Sequence, residues 1–210
     1  MLGGLLVLLW FFIFAVINYF LCKLLKIKTT LLRNIFSWTF LMVFIIMVEL
    51  ILLVYYKYVH EKSEEYYRTN TCYWTENVNV VDMFSYKLYM DLYADYSLAD
   101  KRYGKIIENE GCRFVISGEE AHAFFCMLFV PIILYYFVFF DEIKIYLFSL
   151  MLSVSQFSII VWYLSTVCIE LYFVENKQFW FPPLLWNVPW VILPIYIVYS
   201  VFCQLITLKN

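Results

Sequence analysis

Apolar residues run along this chain in blocks long enough to cross a bilayer, separated by short polar breaks and one long polar interval. A span needs roughly 20 predominantly apolar residues. The blocks Leu2–Cys22, Ile35–Tyr56, Ala121–Phe140 and Phe181–Leu208 meet that length outright. Another, Ile143–Phe173, is longer and is interrupted by Ser149, Ser153, Ser155, Gln156 and Ser158, so it is expected to tilt or to run past the hydrocarbon. The pattern predicts an all-α polytopic membrane protein of five transmembrane helices, with a luminal loop or helix between spans two and three. Residues 1–34 make an N-terminal anchor span and a basic loop. Residues 35–210 make a four-helix membrane domain that includes the luminal segment 57–118.

Composition supports lipid as the solvent. Of 210 residues, 64% are hydrophobic, 22% aromatic and 15% charged, and the mean hydropathy is +0.76. A soluble domain of that balance would expose large apolar patches. The first block has no basic n-region and exceeds the apolar core of about 7–15 residues found in a signal peptide, so it reads as a retained anchor. Lys23, Lys26, Lys28 and Arg33 lie between spans one and two, Lys144 between three and four, and Lys209 after five. All fall on one side of a five-span serpentine, which is then cytoplasmic, with the amino terminus and segment 57–118 luminal.

A structureless loop as long as 57–118 is uncommon, so Asp82–Ala99 is expected to be helical and to lie on the membrane surface. Tyr86, Tyr89, Tyr93 and Tyr96 recur at three- and four-residue spacing on one face, which suits the interface. Cys72 and Cys112 leave two readings open, a disulfide in an oxidising lumen or two free thiols. Cys22, Cys126, Cys168 and Cys203 lie in spans and read as small apolar residues.

The chain has no glycine-rich phosphate loop, HExxH, GxSxG or CxxC, and its two histidines are His60 and His122. So sparse a set of His and scattered Cys predicts neither a metal site nor a cofactor, and no basic stripe suggests nucleic acid. What remains unusual is polar chemistry inside the membrane. Glu49 is the sharpest case: a charge near the bilayer centre costs roughly 2.5–3.5 kcal/mol on translocon scales, and such residues face a cavity or a partner. A structural hydrogen bond between helices is the plain alternative. At about 1.5 Å per residue, Glu49 lies about 10 Å below the luminal end of span two. Glu119, Glu120 and His122 enter that layer from span three, Trp162, Tyr163, Ser165 and Thr166 from span four, and Asn187 and Trp190 from span five. Plain readings stand beside these as well. Glu119 and Glu120 suit a helix amino terminus, His122 and Trp190 suit the interface, and Asn187 suits an interhelical bond near Pro182, Pro183, Pro189 and Pro194.

From Glu49 to Pro194 the chain resembles the emopamil-binding protein family, the sterol 8,7-isomerases of the EXPERA group. The resemblance rests on Glu49 with Tyr55-Tyr56, on Asp95-Tyr96-Ser97-Leu98-Ala99-Asp100-Lys101-Arg102-Tyr103, on Ser153-Val154-Ser155-Gln156, and on Asn187-x-x-Trp190-x-x-Leu193-Pro194. It implies a cofactor-free shift of a ring double bond in a sterol, in the endoplasmic reticulum membrane: an acid protonates the alkene, a tertiary carbocation forms, and a base removes a neighbouring proton. Glu49 is the implied acid, and the second catalytic group is Glu119 or His122. Asn187, Trp190, Tyr103, Gln156 and Trp162 are the implied substrate contacts, with the Trp190 face stabilising the cation.

The family carries a histidine one turn before the span-two glutamate, where this chain has Ile45, and an acid early in the inner half of span four, where it has Ile160. Counting from the loop motif puts Glu119 at the family's second acid. Counting back from Pro131 puts His122 there, and His122 could supply from span three the imidazole that span two lacks. Expected partners are a sterol or a cationic amphiphilic amine and the lipid bilayer, with no nucleic acid and with a homodimer left open. Two alternatives stand beside the isomerase: a non-catalytic sterol-binding protein of the same fold, and a transporter or channel subunit. The latter ranks last, because no internal repeat or glycine-broken span is visible.

Overall fold

The structure, a computed structural model, describes residues 2–98, 110–169 and 181–209, apart from the side chains at 83, 110–117, 119, 166–169, 181–187 and 208–209. Its helices are α1 (Gly3–Leu24), α2 (Thr30–Thr69), α3 (Tyr86–Tyr96), α4 (Glu110–Phe139), α5 (Glu142–Ile169) and α6 (Phe181–Lys209), with 3-10 turns at Tyr73–Thr75 and Val80–Phe84 between α2 and α3. Five of these, α1, α2, α4, α5 and α6, are long and apolar enough to cross a membrane. The chain is therefore an all-α, multi-pass membrane protein, as the hydropathy pattern predicts.

Local chemistry sets the turns. Thr29 caps α2, its hydroxyl accepting the Leu32 N–H at 3.2 Å. Lys26, Asn70 and Phe140 take the left-handed conformation that ends α1, α2 and α4. Asp141 then starts α5, accepting the Lys144 N–H at 3.2 Å and pairing with its ammonium at 3.0 Å.

Packing follows from which face of each span is apolar and small enough to interlock. Phe36, Met42, Cys126, Ile133, Phe137, Ile145, Leu152, Ile197 and Val201, from α2, α4, α5 and α6, share one buried core. Phe124, Tyr135, Leu147, Ile192, Tyr199 and Phe202 point outward from the same helices. That outward surface is what hydrocarbon covers. Helix α1 packs at the edge through aromatic contacts: Phe14 stacks on Phe40 at 5.2 Å, and Trp10 meets Phe44 edge-on at 5.5 Å. Asn18 donates to the Ser37 hydroxyl at 2.7 Å near its other end.

Helix α2 departs from expectation in length. Its 40 residues span about 60 Å at 1.5 Å each, about twice the hydrocarbon thickness. It does not stop at Tyr56; it breaks at Tyr55, whose φ of −108° and ψ of 17° are non-helical, and continues to Thr69. The continuation is polar on one side and packed on the other. Ser63 returns its hydroxyl to the Val59 carbonyl at 2.7 Å, and Val59 and Tyr66 are buried.

With α3 and the two turns, this continuation forms a cap over one end of the bundle. Tyr58 donates to Asp91 at 2.7 Å and Tyr66 to Glu76 at 2.7 Å, Lys62 pairs with Glu76 at 3.1 Å, and the Tyr73 N–H donates to Asp95 at 2.9 Å. The start of α1 is sewn to the cap by a bridge between Leu2 and Asn77 and by the Gly3 N–H donating to the Glu76 carbonyl at 3.0 Å. Gly3 is required there, since a Cβ would collide with the Tyr73 carbonyl.

The helix expected over Asp82–Ala99 is a 3-10 turn followed by α3, and its tyrosine face is turned to protein rather than to headgroups. Tyr86 stacks on Tyr55 at 4.1 Å, Tyr89 meets Trp10 at 6.4 Å, and the Tyr96 and Tyr163 hydroxyls are 3.0 Å apart. The same amphipathic ring that suits a lipid interface also suits a packed junction with one polar end, so spacing alone does not choose between them. Cys72 is a free thiol 3.4 Å from the Thr75 hydroxyl. The Cys112 side chain lies outside the described residues.

Burial raises the Asp91 carboxyl to about 6 against the lowering effect of the Tyr58 hydrogen bond. Because the folded value exceeds the unfolded one, this group's contribution to cap stability is fully present below about pH 4 and is lost as pH rises through about 6. Limited proteolysis of the cap is expected to accelerate across that window, and Asp91→Asn to flatten the dependence. An unchanged pH profile in the variant would remove Asp91 as the cause.

Candidate functional site

On α2, Trp38, Met42, Ile45 and Glu49 follow one another at spacings of four, three and four, which places them along one face. That face looks into the helix bundle: Trp38, Met42 and Glu49 are buried, and Ile45 packs against the core. On α4, His122 and Cys126 share a face by the same rule. Gln156 comes from α5 and Trp190 from α6.

The centre of the site is a contact between two of these helices. His122 Nδ1 lies 2.6 Å from Glu49 Oε1, with the two side chains 12% and 4% exposed. The two residues are 73 positions apart in sequence, and helix packing brings them together. Nearby, the Trp38 indole donates to Gln156 Oε1 at 2.7 Å. An indole N–H can only donate, so this bond settles which end of the Gln156 amide is oxygen. The Gln156 NH₂ is thereby turned toward Met42 Sδ, Cys126 Sγ and His122 Nε2, the last at 3.5 Å. Cys126 Sγ is also 3.5 Å from His122 Nε2. A donor amide facing Nε2 favours a bare nitrogen there, which puts the imidazole proton on Nδ1, between His122 and Glu49. Trp38 thus acts on the pair through Gln156.

Two indoles wall the pair. Trp190 lies 6.5 Å from the His122 ring at 79° and 5.0 Å from Trp38 at 52°. Nearer the cap, Gly118 stands one turn before His122. A Cβ there would come within 2.6 Å of the Trp162 ring, so that ring lies directly against the α4 backbone. The adjacent Tyr163 links α5 to the cap through Tyr96.

Of the residues singled out in the sequence, the structure gathers Glu49, His122, Gln156 and Trp190, and sets Trp162 about a turn away. Glu120 is exposed, but it stands ten residues past the start of α4 rather than at a helix amino terminus. The side chains of Glu119 and Asn187, and all of Tyr103, lie outside the described residues. Trp38, Met42 and Cys126 join the site without having been singled out. Their one signal is shared phase with Glu49 and His122, and apolar residues in a span give it faintly.

Among the described residues, no three His, Cys, Asp or Glu side chains gather closely enough to ligate a metal ion. The centre consists of a carboxyl, an imidazole, an amide, two sulfur atoms and two indoles. Such a set can hold and move a proton and can face a cation with aromatic surface. No family model, curated protein or solved structure matches the chain.

Proposed function

We propose that this protein is a membrane-embedded sterol isomerase of the endoplasmic reticulum, which moves a ring double bond from the 8 to the 7 position. The observation that carries the reading is the buried 2.6 Å contact between Glu49 and His122 beside the Trp190 indole. A bare carboxyl in a span is costly, and an imidazole that shares its proton gives it both a partner and a task. Glu49 reacts as the neutral acid: Oε1 accepts from His122 Nδ1–H, while Oε2 carries the proton that adds to one alkene carbon, leaving a tertiary cation and a carboxylate. The electrons of a neighbouring C–H bond then form the new double bond, and the released proton returns to the pair. Nothing is oxidised or consumed. The Trp190 face lowers the energy of the cation, and Trp162 and Gln156 would flank the sterol nucleus. A cationic amphiphilic amine resembles the intermediate in charge and should bind tightly.

The test is to express the chain in cells that lack 8,7-isomerase and to profile their sterols. Accumulated 8-ene sterols are expected to fall and 7-ene products to rise. Persistence of 8-ene sterols despite expression of folded protein would defeat the reading. One observation favours a second reading, a non-catalytic sterol-binding protein of the same fold. Ile45 stands one turn from Glu49, where the isomerases it resembles carry a histidine. Retained binding of a labelled amine together with unchanged sterols would select it.

A further inference from the structure

Helix α5 carries a second buried polar feature, on the side of the bundle away from the cap. Tyr146, Ser149, Ser153 and Gln156 recur at spacings of three, four and three, within about 80° of arc at 100° per residue and over about 15 Å of rise. All four are buried, at 1%, 3%, 1% and 4% exposure. At one end, Tyr146 reaches the side chain of Thr29, which is exposed in the turn between α1 and α2. At the other, Gln156 meets His122 Nε2.

The serines on this line behave unlike their neighbours. Ser37, Ser63, Ser155, Ser158 and Ser165 return their hydroxyls to a carbonyl on the preceding turn of their own helix. Ser149 and Ser153 do not, and their buried hydroxyls have no hydrogen-bond partner among the described residues. Two such hydroxyls one turn apart are costly in a helix bundle unless something bonds to both. Residues at that spacing are about 5–6 Å apart at Cβ, a gap that one bridging water fills with bonds to each side.

We propose that Tyr146, Ser149, Ser153 and Gln156 line a hydrated track that carries protons between the basic, uncapped face of the protein and the Glu49–His122 pair. Each water passes one proton on and takes one from its neighbour, so no charge accumulates along the line and no redox partner is needed. The last water exchanges a proton with His122 at Nε2, and Nδ1 exchanges with Glu49. This inference deepens the reading of that pair as a proton-handling site, and its test does not depend on sterol turnover.

The test uses the full chain in proteoliposomes, labelled with ¹⁵N-histidine and ¹³C-serine. The chain has only His60 and His122, so two imidazoles are resolved with one variant, His60→Gln, for assignment. Water-edited solid-state NMR of the wild type is expected to show magnetisation passing from water to Ser149 and Ser153 as fast as to surface serines. After transfer to D₂O, the His122 imidazole proton should exchange freely. In the Ser149→Val, Ser153→Val protein, that exchange is expected to slow at least about tenfold, with His60 unaffected. A dry result at both serines in the wild type would overturn the track, and it needs no variant to fold. Unchanged His122 exchange in the double variant would overturn it equally. Absence of isomerase activity in a wild-type protein whose Ser149 and Ser153 are hydrated and whose His122 proton exchanges freely would count against the sterol reading and leave the track standing.

Discussion

On the proposed isomerase reading, conversion of an 8-ene sterol by the purified protein in lipid is expected to fall about 10²- to 10⁴-fold in Glu49→Gln, the range typical for loss of a positioned general acid. The amide keeps the shape of the carboxyl and an oxygen that accepts from His122 Nδ1, so the helix contact survives. Stability should therefore change by no more than about 1 kcal/mol. Activity and stability separate in this variant because the proton is lost while the packing is not. If Glu49 were only a strut between α2 and α4, conversion would be unchanged. Thermal unfolding in nanodiscs together with sterol chromatography gives both readouts.

The second large effect concerns the imidazole. His122→Ala leaves a buried carboxyl without its 2.6 Å partner, and breaking such a pair costs about 3–5 kcal/mol. Conversion should drop with stability, which alone would not separate chemistry from folding. Ile45→His resolves this. Position 45 lies four residues before Glu49 on the same helix face, within reach of its side chain. In the His122→Ala background, Ile45→His is expected to recover conversion at least about tenfold, equivalent to about 1.4 kcal/mol of transition-state stabilisation. A folded double variant no more active than His122→Ala would show that the imidazole's origin on α4 matters, or that it takes no part in the reaction.

The spans and the shared depth of Glu49 with Glu119, Glu120 and His122 are both legible in the sequence, for related reasons. Hydropathy marks each crossing, and a fixed rise per residue turns sequence position into depth. Glu49 on a rising helix and His122 on a descending one then share a layer. Depth does not give rotation about each helix axis, which is why Glu120 shares the layer yet faces outward. Trp38, Met42 and Cys126 are invisible for a different reason: in a span, an apolar or thiol side chain has no cost that would single it out. The length of α2 was hidden by its charges. Lys57, Glu61, Lys62, Glu64 and Glu65 look like the start of a loop when the bilayer is the reference, whereas a packed face of Val59, Ser63 and Tyr66 keeps the helix going.

The break at Tyr55 has a practical consequence for reagents. Glu49 lies six residues before it, in the part of α2 that leads into the break, and the part beyond it forms a wall of the cap. An antibody fragment or fusion partner that grips residues 56–69 has a lever arm some 14 residues long, pivoting less than two turns from the carboxyl. Binders chosen against that surface will act as brakes or throttles on the site. Those chosen against the turn at Phe140 will leave it alone, and they are the better handles for imaging the undisturbed protein.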